Sequence, residues 1–170
     1  MKWILIAIFG LAALGGCVAI AGALLPKAHT AARRATLRQP PEAVYRVITD
    51  VETYPKWRPG VKSVERTPFG WREIDSRGSA ITYETVEASP PRRFVARIAD
   101  SKLPFGGTWT YDIEPASNGS ALTITENGEV YNPIFRFVSR FIMGHTATID
   151  AYLKALGGKF GETSTSNILE

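Results

Sequence analysis

Apolar and polar residues alternate between Val61 and Val130 with the period of β-strands that bury one face. The alternation predicts strands near 61–67, 70–76, 79–88, 92–100, 107–115 and 120–130. In the stretch GTWTYDIEP, for instance, Trp109, Tyr111 and Ile113 share one face. The breaks between the segments are rich in Pro, Gly, Ser and Asn, so we expect short turns and antiparallel pairing.

Before this region the pattern predicts one more strand and two short helices. Residues 30–38 form the strand candidate, and Pro40-Pro41 end it and suit the opening of a helix over 42–49. Asp50 is placed to cap a second short helix through VETYPKW, and Tyr54 and Trp57 are expected to anchor these helices onto the sheet.

The period changes to that of a helix after residue 131. Asn132-Pro133 suits a cap and first turn, and apolar positions then recur at steps of three and four, which places them on one helical face. These positions are Ile134, Val138, Phe141, His145, Ile149, Tyr152 and Leu156. The pattern predicts one continuous helix over 132–160, with Gly144 marking close packing or a bend. A sheet with one apolar face must be covered, and this helix is the element long enough to do it.

The first residues form a separate apolar segment. Residues 3–25 contain no charged residue, and as a helix they reach roughly 34 Å, enough to cross a bilayer of about 30 Å. We therefore divide the chain into an anchor or signal segment over 1–27, a folded domain over 28–162 and a polar tail over 163–170.

Two forms of processing are alternatives to an uncleaved anchor. Leu14-Gly15-Gly16-Cys17 resembles a bacterial lipoprotein cleavage box, in which Cys17 would carry the lipid. A cleaved secretory signal is the other alternative. The apolar run continues past Cys17 to Leu25, longer than the apolar region of a usual signal, so an uncleaved anchor is the preferred interpretation.

The charge distribution bears on compartment and on partners. The net charge is +4, and its excess follows the apolar segment, as Lys27, Arg33, Arg34 and Arg38. The positive-inside rule then favours a cytoplasmic domain, whereas insertion as a signal would place it outside. Basic residues are not interleaved with aromatic ones in a stripe, so nucleic acid is not an expected partner.

Three stretches carry a family resemblance: PPEAVYRVITDVETYPKWRPGVKSVE, PFGGTWTYDIEP and the ending NPIFRFVSRF…AYLKALGGKFGE. Together with the element order they resemble the polyketide cyclase/dehydrase and lipid-transport family of the START-like (Bet v 1-like, SRPBCC) superfamily, over roughly residues 30–162. The expected fold is therefore the α+β helix-grip fold. It has a curved antiparallel sheet of about seven strands wrapped around a long C-terminal helix, preceded here by a transmembrane helix.

The resemblance implies an apolar cavity between the sheet and the C-terminal helix. On that basis the candidate ligand-binding residues are the large inward side chains, namely Tyr83, Phe94, Phe105, Trp109, Tyr111, Phe141, His145 and Ile149. The loop 103–107 is a candidate lid. Core filling is the alternative for the aromatic members, and for Trp71 we expect packing at the surface.

One acid/base pair is conceivable in this sequence. Glu126 shares the parity of Leu122 and Ile124, so a regular strand would point its carboxylate inward, towards His145. A bulge near Asn127-Gly128 would turn it outward, which is the favoured expectation. Arg136 and Arg140 lie off the apolar stripe and are expected in solvent or at lipid head groups.

No cofactor or metal site is expected. Two histidines and one cysteine, the latter within the apolar segment, cannot build a typical zinc site, and no phosphate loop, dinucleotide motif or nucleophile elbow is present. Three hypotheses follow. The first is a membrane-anchored domain that binds a hydrophobic small molecule or lipid. The second is a cyclase or dehydratase that uses His145 with Glu126, and the third is a ligand-free interaction protein at the membrane.

Overall fold

The computed structural model describes residues 2–163 and 166–168. Its helices are α1 (Lys2–Leu24), α2 (Pro41–Thr49), α3 (Pro133–Val138) and α4 (Ala147–Lys159), with a 3₁₀ turn at Val51–Lys56 and a π-helical turn at Ser139–Met143. Its strands are β1 (Ala28–Leu37), β2 (Val61–Thr67), β3 (Gly70–Asp75), β4 (Ala80–Ser89), β5 (Arg93–Ile98), β6 (Phe105–Ala116), β7 (Gly119–Val130) and β8 (Ser166–Ile168).

The strands form one antiparallel sheet in the order β2-β3-β4-β5-β6-β7-β1-β8. Sequential hairpins build it from β2 to β7, and β1 then pairs with β7 along its whole length, from Ala28 opposite Glu129 to Leu37 opposite Ser120. The helix-grip architecture and the seven long strands are confirmed, and each predicted strand lies within about two residues of its observed bounds. The agreement is close because turn residues and alternation are local signals. β8 is an added short strand on β1, within the predicted tail.

The inner face of the sheet is covered by α2, the 3₁₀ turn and α4. Tyr152 of α4 is the centre of this packing, since its ring contacts those of Tyr54, Trp57, Trp109 and Tyr111 at centroid distances of 5.5–6.5 Å. Tyr54 also donates a hydrogen bond to the Ile48 carbonyl, which ties the 3₁₀ turn to α2. Tyr54 lies in the core, Trp57 packs against it, and both reach the sheet through Tyr152, so their direct anchoring of the short helices onto the sheet stays a prediction.

Trp71 is buried, and the expectation of surface packing for it is wrong. It is 4 % exposed, and its ring stacks on Tyr83 with 5.1 Å between centroids. The alternation of β3 explains this position, since Trp71 and Glu73 share the inward parity of the strand.

The C-terminal helical segment is interrupted rather than continuous. Gly144 has φ 75° and ψ 146°, so α3 and the π-helical turn end there and α4 starts three residues later. The break redirects the apolar stripe. Ile149, Tyr152 and Leu156 are buried in the core, whereas Ile134 and Phe141 are 48 % and 62 % exposed. Phe141 therefore does not face the sheet, contrary to prediction.

Arg33 fixes the start of α4 after the break. It is buried on β1, where its Nε donates to Asp150 Oδ1 at 2.8 Å and its Nη2 donates to Thr146 Oγ1 at 2.7 Å. Two charge-assisted bonds from one guanidinium orient the first turn of α4 towards the sheet.

α1 is apolar along its length, and by length and composition it is the one helix among the described residues that could cross a membrane. Its C-terminal end packs on α3. A Cβ at Gly22 would overlap the carbonyl oxygen of Pro133, so the two backbones are in direct contact.

The break at Gly144 predicts opposite effects for two glycine substitutions. Gly144→Ala should lower the free energy of unfolding by about 1–3 kcal/mol, because alanine is strained at positive φ. Gly158→Ala should raise it by about 0.5–1 kcal/mol, because Gly158 is helical with open space around its Cβ position. Denaturant unfolding of the detergent-solubilised chain measures both. Stabilisation by both substitutions would indicate a continuous helix.

Candidate functional site

Polar side chains gather at the end of the sheet that lies next to α1. His29 is the second residue of β1, Glu126 lies on β7, and His145 lies in the break between the π-helical turn and α4. β1 pairs with β7 so that His29 is opposite Gly128 and Ala31 is opposite Glu126. Residues far apart in sequence therefore meet at one end of an otherwise apolar face.

Glu126 points inward, and the expectation of a bulge at Asn127-Gly128 is wrong. β6 and β7 remain in regular register there, with Trp109 opposite Glu126 and Gly107 opposite Gly128. The carboxylate accepts a hydrogen bond from Thr148 Oγ1 at 3.2 Å, which connects it to α4.

The two imidazoles of the chain stack on one another beside this carboxylate. Their ring centroids are 3.9 Å apart at an interplanar angle of 22°. His29 Nε2 lies 3.7 Å from Glu126 Oε1, and His145 Nδ1 lies 3.1 Å from Ser139 Oγ. Gly128 makes room for the stack, since a Cβ at that position would overlap the His29 ring. The result is a connected cluster that we call the histidine cluster: His29, Glu126, Ser139, His145 and Thr148.

Burial shifts the protonation of this cluster towards uncharged forms. It raises the pKa of Glu126, and hydrogen bonds from Thr148 and Trp109 oppose that rise. It lowers the pKa of His29, with a further contribution from His145, and it lowers the pKa of His145, with a further contribution from Arg140. Burial thus favours the neutral form of both imidazoles, in which each ring has one donor and one acceptor nitrogen.

Two surface clefts meet at His29. The first measures about 370 Å³ and lies between the end of α1, β1 and the π-helical turn; its lining includes Leu25, Lys27, His29, Arg140 and His145. The second measures about 410 Å³ and lies among the ends of β1, β5, β6 and β7. We call the first the anchor cleft. The lining of the anchor cleft combines apolar residues that follow α1 with cationic and imidazole side chains.

The predicted ligand-binding residues lie in three different environments. Phe94, Tyr111 and Ile149 are buried in the core, with Tyr83 and Trp109 partly buried against it. Phe105 is half-buried at the start of β6, and Phe141 is exposed beside α3. His145 alone among them lines the anchor cleft. The ring of Tyr152 occupies the space between the sheet and α4, so ligand binding by the core members stays a prediction.

A buried ion pair escaped the reasoning from sequence. Arg58 Nη1 donates to Glu73 Oε1 at 2.8 Å, and Trp71 Nε1 donates to the same oxygen at 2.9 Å. The Arg58 guanidinium lies over the rings of Tyr54 and Tyr152, at 4.6 and 5.1 Å from their centroids. Alternation along β3 was the available signal, because it gives Glu73 the inward parity of Trp71.

His29 was missed in the same way, although it shares the inward parity of Ala31 and Arg33 on β1.

Arg136 also differs from its predicted position. It is 8 % exposed and donates to the carbonyls of Leu25 and Tyr131, at 3.0 and 3.1 Å. Arg140 is exposed, as expected. Across residues 2–163 and 166–168, no three His, Cys, Asp or Glu side chains are grouped so that they could hold a metal ion.

The histidine cluster has a pH dependence that NMR can measure. Both imidazoles should titrate below 6.5, their ordinary pKa. As the pH falls, the histidines of the unfolded chain bind protons at a higher pH than those of the folded chain, so the free energy of unfolding should fall below pH 6.5. The fall should be smaller in the His29→Gln/His145→Gln variant, which lacks both imidazoles. Single replacements assign each resonance, and the urea-unfolded chain gives the reference midpoint. A midpoint above 6.5 for His29 would show that pairing with Glu126 outweighs burial.

Several solved structures share this fold at low sequence identity. A conserved protein from Geobacillus kaustophilus is 16% identical, with a TM-score of 0.66 over 82% of this chain and 99% of its own. A START superfamily protein from Mycobacterium smegmatis is 17% identical, with a TM-score of 0.57 over 78% and 94%. The di-domain ARO/CYC StfQ from the steffimycin biosynthetic pathway is 16% identical, with a TM-score of 0.61 over 77% of this chain and 50% of its own. No curated protein matches the chain.

The family model described as polyketide cyclase / dehydrase and lipid transport matches residues 28–157, which run from the first residue of β1 into α4. The matched segment contains the whole histidine cluster and excludes α1. The chain therefore belongs to the polyketide cyclase/dehydrase and lipid-transport family.

Proposed function

We propose that this protein is a membrane-anchored START-like domain that binds a hydrophobic small molecule or lipid through the anchor cleft. One observation carries the proposal: the cleft starts where the apolar helix α1 ends. Leu25 and Pro26 line it together with His29 and His145. An apolar ligand dissolved in the bilayer would thus meet the domain at a site that already combines apolar and polar groups.

The lining of the anchor cleft favours a ligand with an anionic or strongly accepting head group. Lys27, Arg136 and Arg140 contribute cations, His29 and His145 contribute ring nitrogens, and the lining described contains no carboxylate. Arg140 is exposed, so its charge is available to a head group. The volume of about 370 Å³ suits a small molecule or the polar end of a lipid.

The anchoring role of α1 rests on its composition and on its contact with the domain. Its 23 residues are long enough to cross a bilayer, and cationic residues follow it. Its packing on α3 supports a helix that stays attached, because cleavage after it would remove a partner of Pro133 and Arg136. The short flanking charges favour a cytoplasmic domain by the positive-inside rule.

Acid/base catalysis is the second candidate function, and the position of Glu126 favours it. The Glu126 carboxylate lies 3.7 Å from His29, and His29 stacks on His145, so three groups that can exchange protons are close together. StfQ, described as an ARO/CYC, shares the fold. A cyclase or dehydratase reaction would use His29 or His145 as the base and Glu126 as an orienting group or acid.

Native mass spectrometry of the full chain, extracted gently from its host membrane, tests the binding proposal. We expect a discrete adduct that is lost on denaturation. Ala28→Trp should reduce its occupancy by more than about tenfold, since Ala28 lines the anchor cleft and an indole would fill it. Thr36→Trp is the matched control, because Thr36 is exposed on the same strand away from the cleft. No adduct, or equal loss in both variants, would contradict the proposal.

The same preparation separates binding from catalysis. If the domain is an enzyme, the molecule released from Glu126→Gln should differ in structure from that released by the wild-type chain. A dehydration changes the mass by one water, whereas ring closure by addition leaves the mass unchanged and is detected by chromatographic retention and fragmentation. Identical released molecules at equal occupancy would support binding alone.

A further inference from the structure

Four large apolar side chains form an exposed patch on α3 and the π-helical turn. Ile134, Phe135, Phe141 and Ile142 are 48–71 % exposed. We call this patch the apolar platform. Exposed phenylalanine and isoleucine side chains so close together in the chain indicate a contact surface, since single scattered residues are the rule elsewhere. Phe69 and Val86, also exposed, lie apart from it in a turn and on β4.

The platform is physically continuous with α1. α3 packs against the C-terminal end of α1, where Gly22 is buried against the Pro133 backbone. The part of α1 in this contact belongs to the uncharged stretch that ends at Leu25. The platform therefore lies alongside a helix whose own surface is apolar.

Arg136 joins the two helices through the free carbonyls at the end of α1. Its Nη1 donates to Leu25 O at 3.0 Å and to Ala23 O at 3.5 Å, and its Nη2 donates to Tyr131 O. The last carbonyls of a helix lack partners within the helix, and leaving them unpaired in an apolar environment is unfavourable. A cation at this end is also favoured by the helix dipole. α1 is therefore held by a specific polar contact.

We propose that the apolar platform inserts into the lipid bilayer beside α1. The proposal rests on the anchoring role of α1 and is independent of whether a ligand binds. Its occupant is lipid because the platform adjoins the apolar surface of α1. Lys27 and Arg140 are exposed next to the platform and suit anionic or zwitterionic head groups. The aromatic and branched side chains then contact the outer acyl region.

Insertion would place the mouth of the anchor cleft at the membrane surface. Leu25, Arg140 and His145 line that cleft, and Arg140 directly precedes Phe141 of the platform. A ligand could then pass from the bilayer to the histidine cluster without crossing water.

Spin labels on the full chain in phosphatidylcholine vesicles test the insertion. Ile142→Cys in a Cys17→Ala background places a nitroxide on the platform, and Phe69→Cys is the control because Phe69 is 80 % exposed near the opposite edge of the sheet. The label at 142 should collide several-fold less with a water-soluble nickel chelate than the label at 69, and several-fold more with oxygen, which concentrates in the acyl region.

Two other outcomes would overturn the proposal. Equal nickel accessibility at both sites would place the platform in water. Shielding of position 142 from both reagents, with spin–spin broadening, would identify a second copy of the chain as the occupant. A label on the native Cys17 separates the causes of failure. If lipid shields the label at Cys17 from nickel but not the label at position 142, only the proposed insertion of the platform is wrong. If nickel reaches both labels, the anchoring role of α1 is wrong as well.

Discussion

The break at Gly144 is the constraint on which the arrangement of this protein depends. A straight helix over the C-terminal segment would carry its whole apolar stripe along the sheet. At φ 75° the chain leaves the helical path, and the stripe is divided between two environments. The half after the break closes the core through Ile149, Tyr152 and Leu156. The half before it is exposed at Ile134 and Phe141, on the segment whose first helix, α3, packs on α1.

The division also creates the candidate site. His145 lies in the turn made by the break, where it can stack on His29 and accept or donate at Ser139. Arg33 holds the start of α4 in place on the other side of the turn. The histidine cluster is thus located where the exposed part of the apolar stripe and its core-forming part separate.

The region between the sheet and α4 is packed with side chains, whereas the clefts lie at one end of the sheet. Tyr152, with the rings around it and the Arg58–Glu73 pair, fills the region between sheet and helix with specific contacts. The unfilled volumes described above lie instead at the end of the sheet next to α1. These clefts, rather than the packed interior, are therefore the open spaces on which the proposed binding site rests.

The sequence predicted the strands well because alternation and turn residues are local signals. Gly144 indicated close packing or a bend, but the three-and-four spacing of apolar residues runs on through it, so the pattern predicted one continuous helix. The pairing of His29 with Gly128 depends on a contact between residues 99 positions apart. The parity of β7 correctly predicts that Glu126 points inward, whereas the favoured expectation of a bulge at Asn127-Gly128 wrongly pointed it outward.

In this structure α1 and the domain form a single unit joined through α3 and Arg136. Pulsed electron–electron double resonance in lipid nanodiscs measures the distance between a spin label on the native Cys17 and a second label at Lys154→Cys. Both positions are exposed. A single narrow distance distribution is predicted, and Arg136→Gln should broaden it. A broad distribution in the chain with Arg136 intact would mean that the domain moves freely on its anchor and would contradict the account.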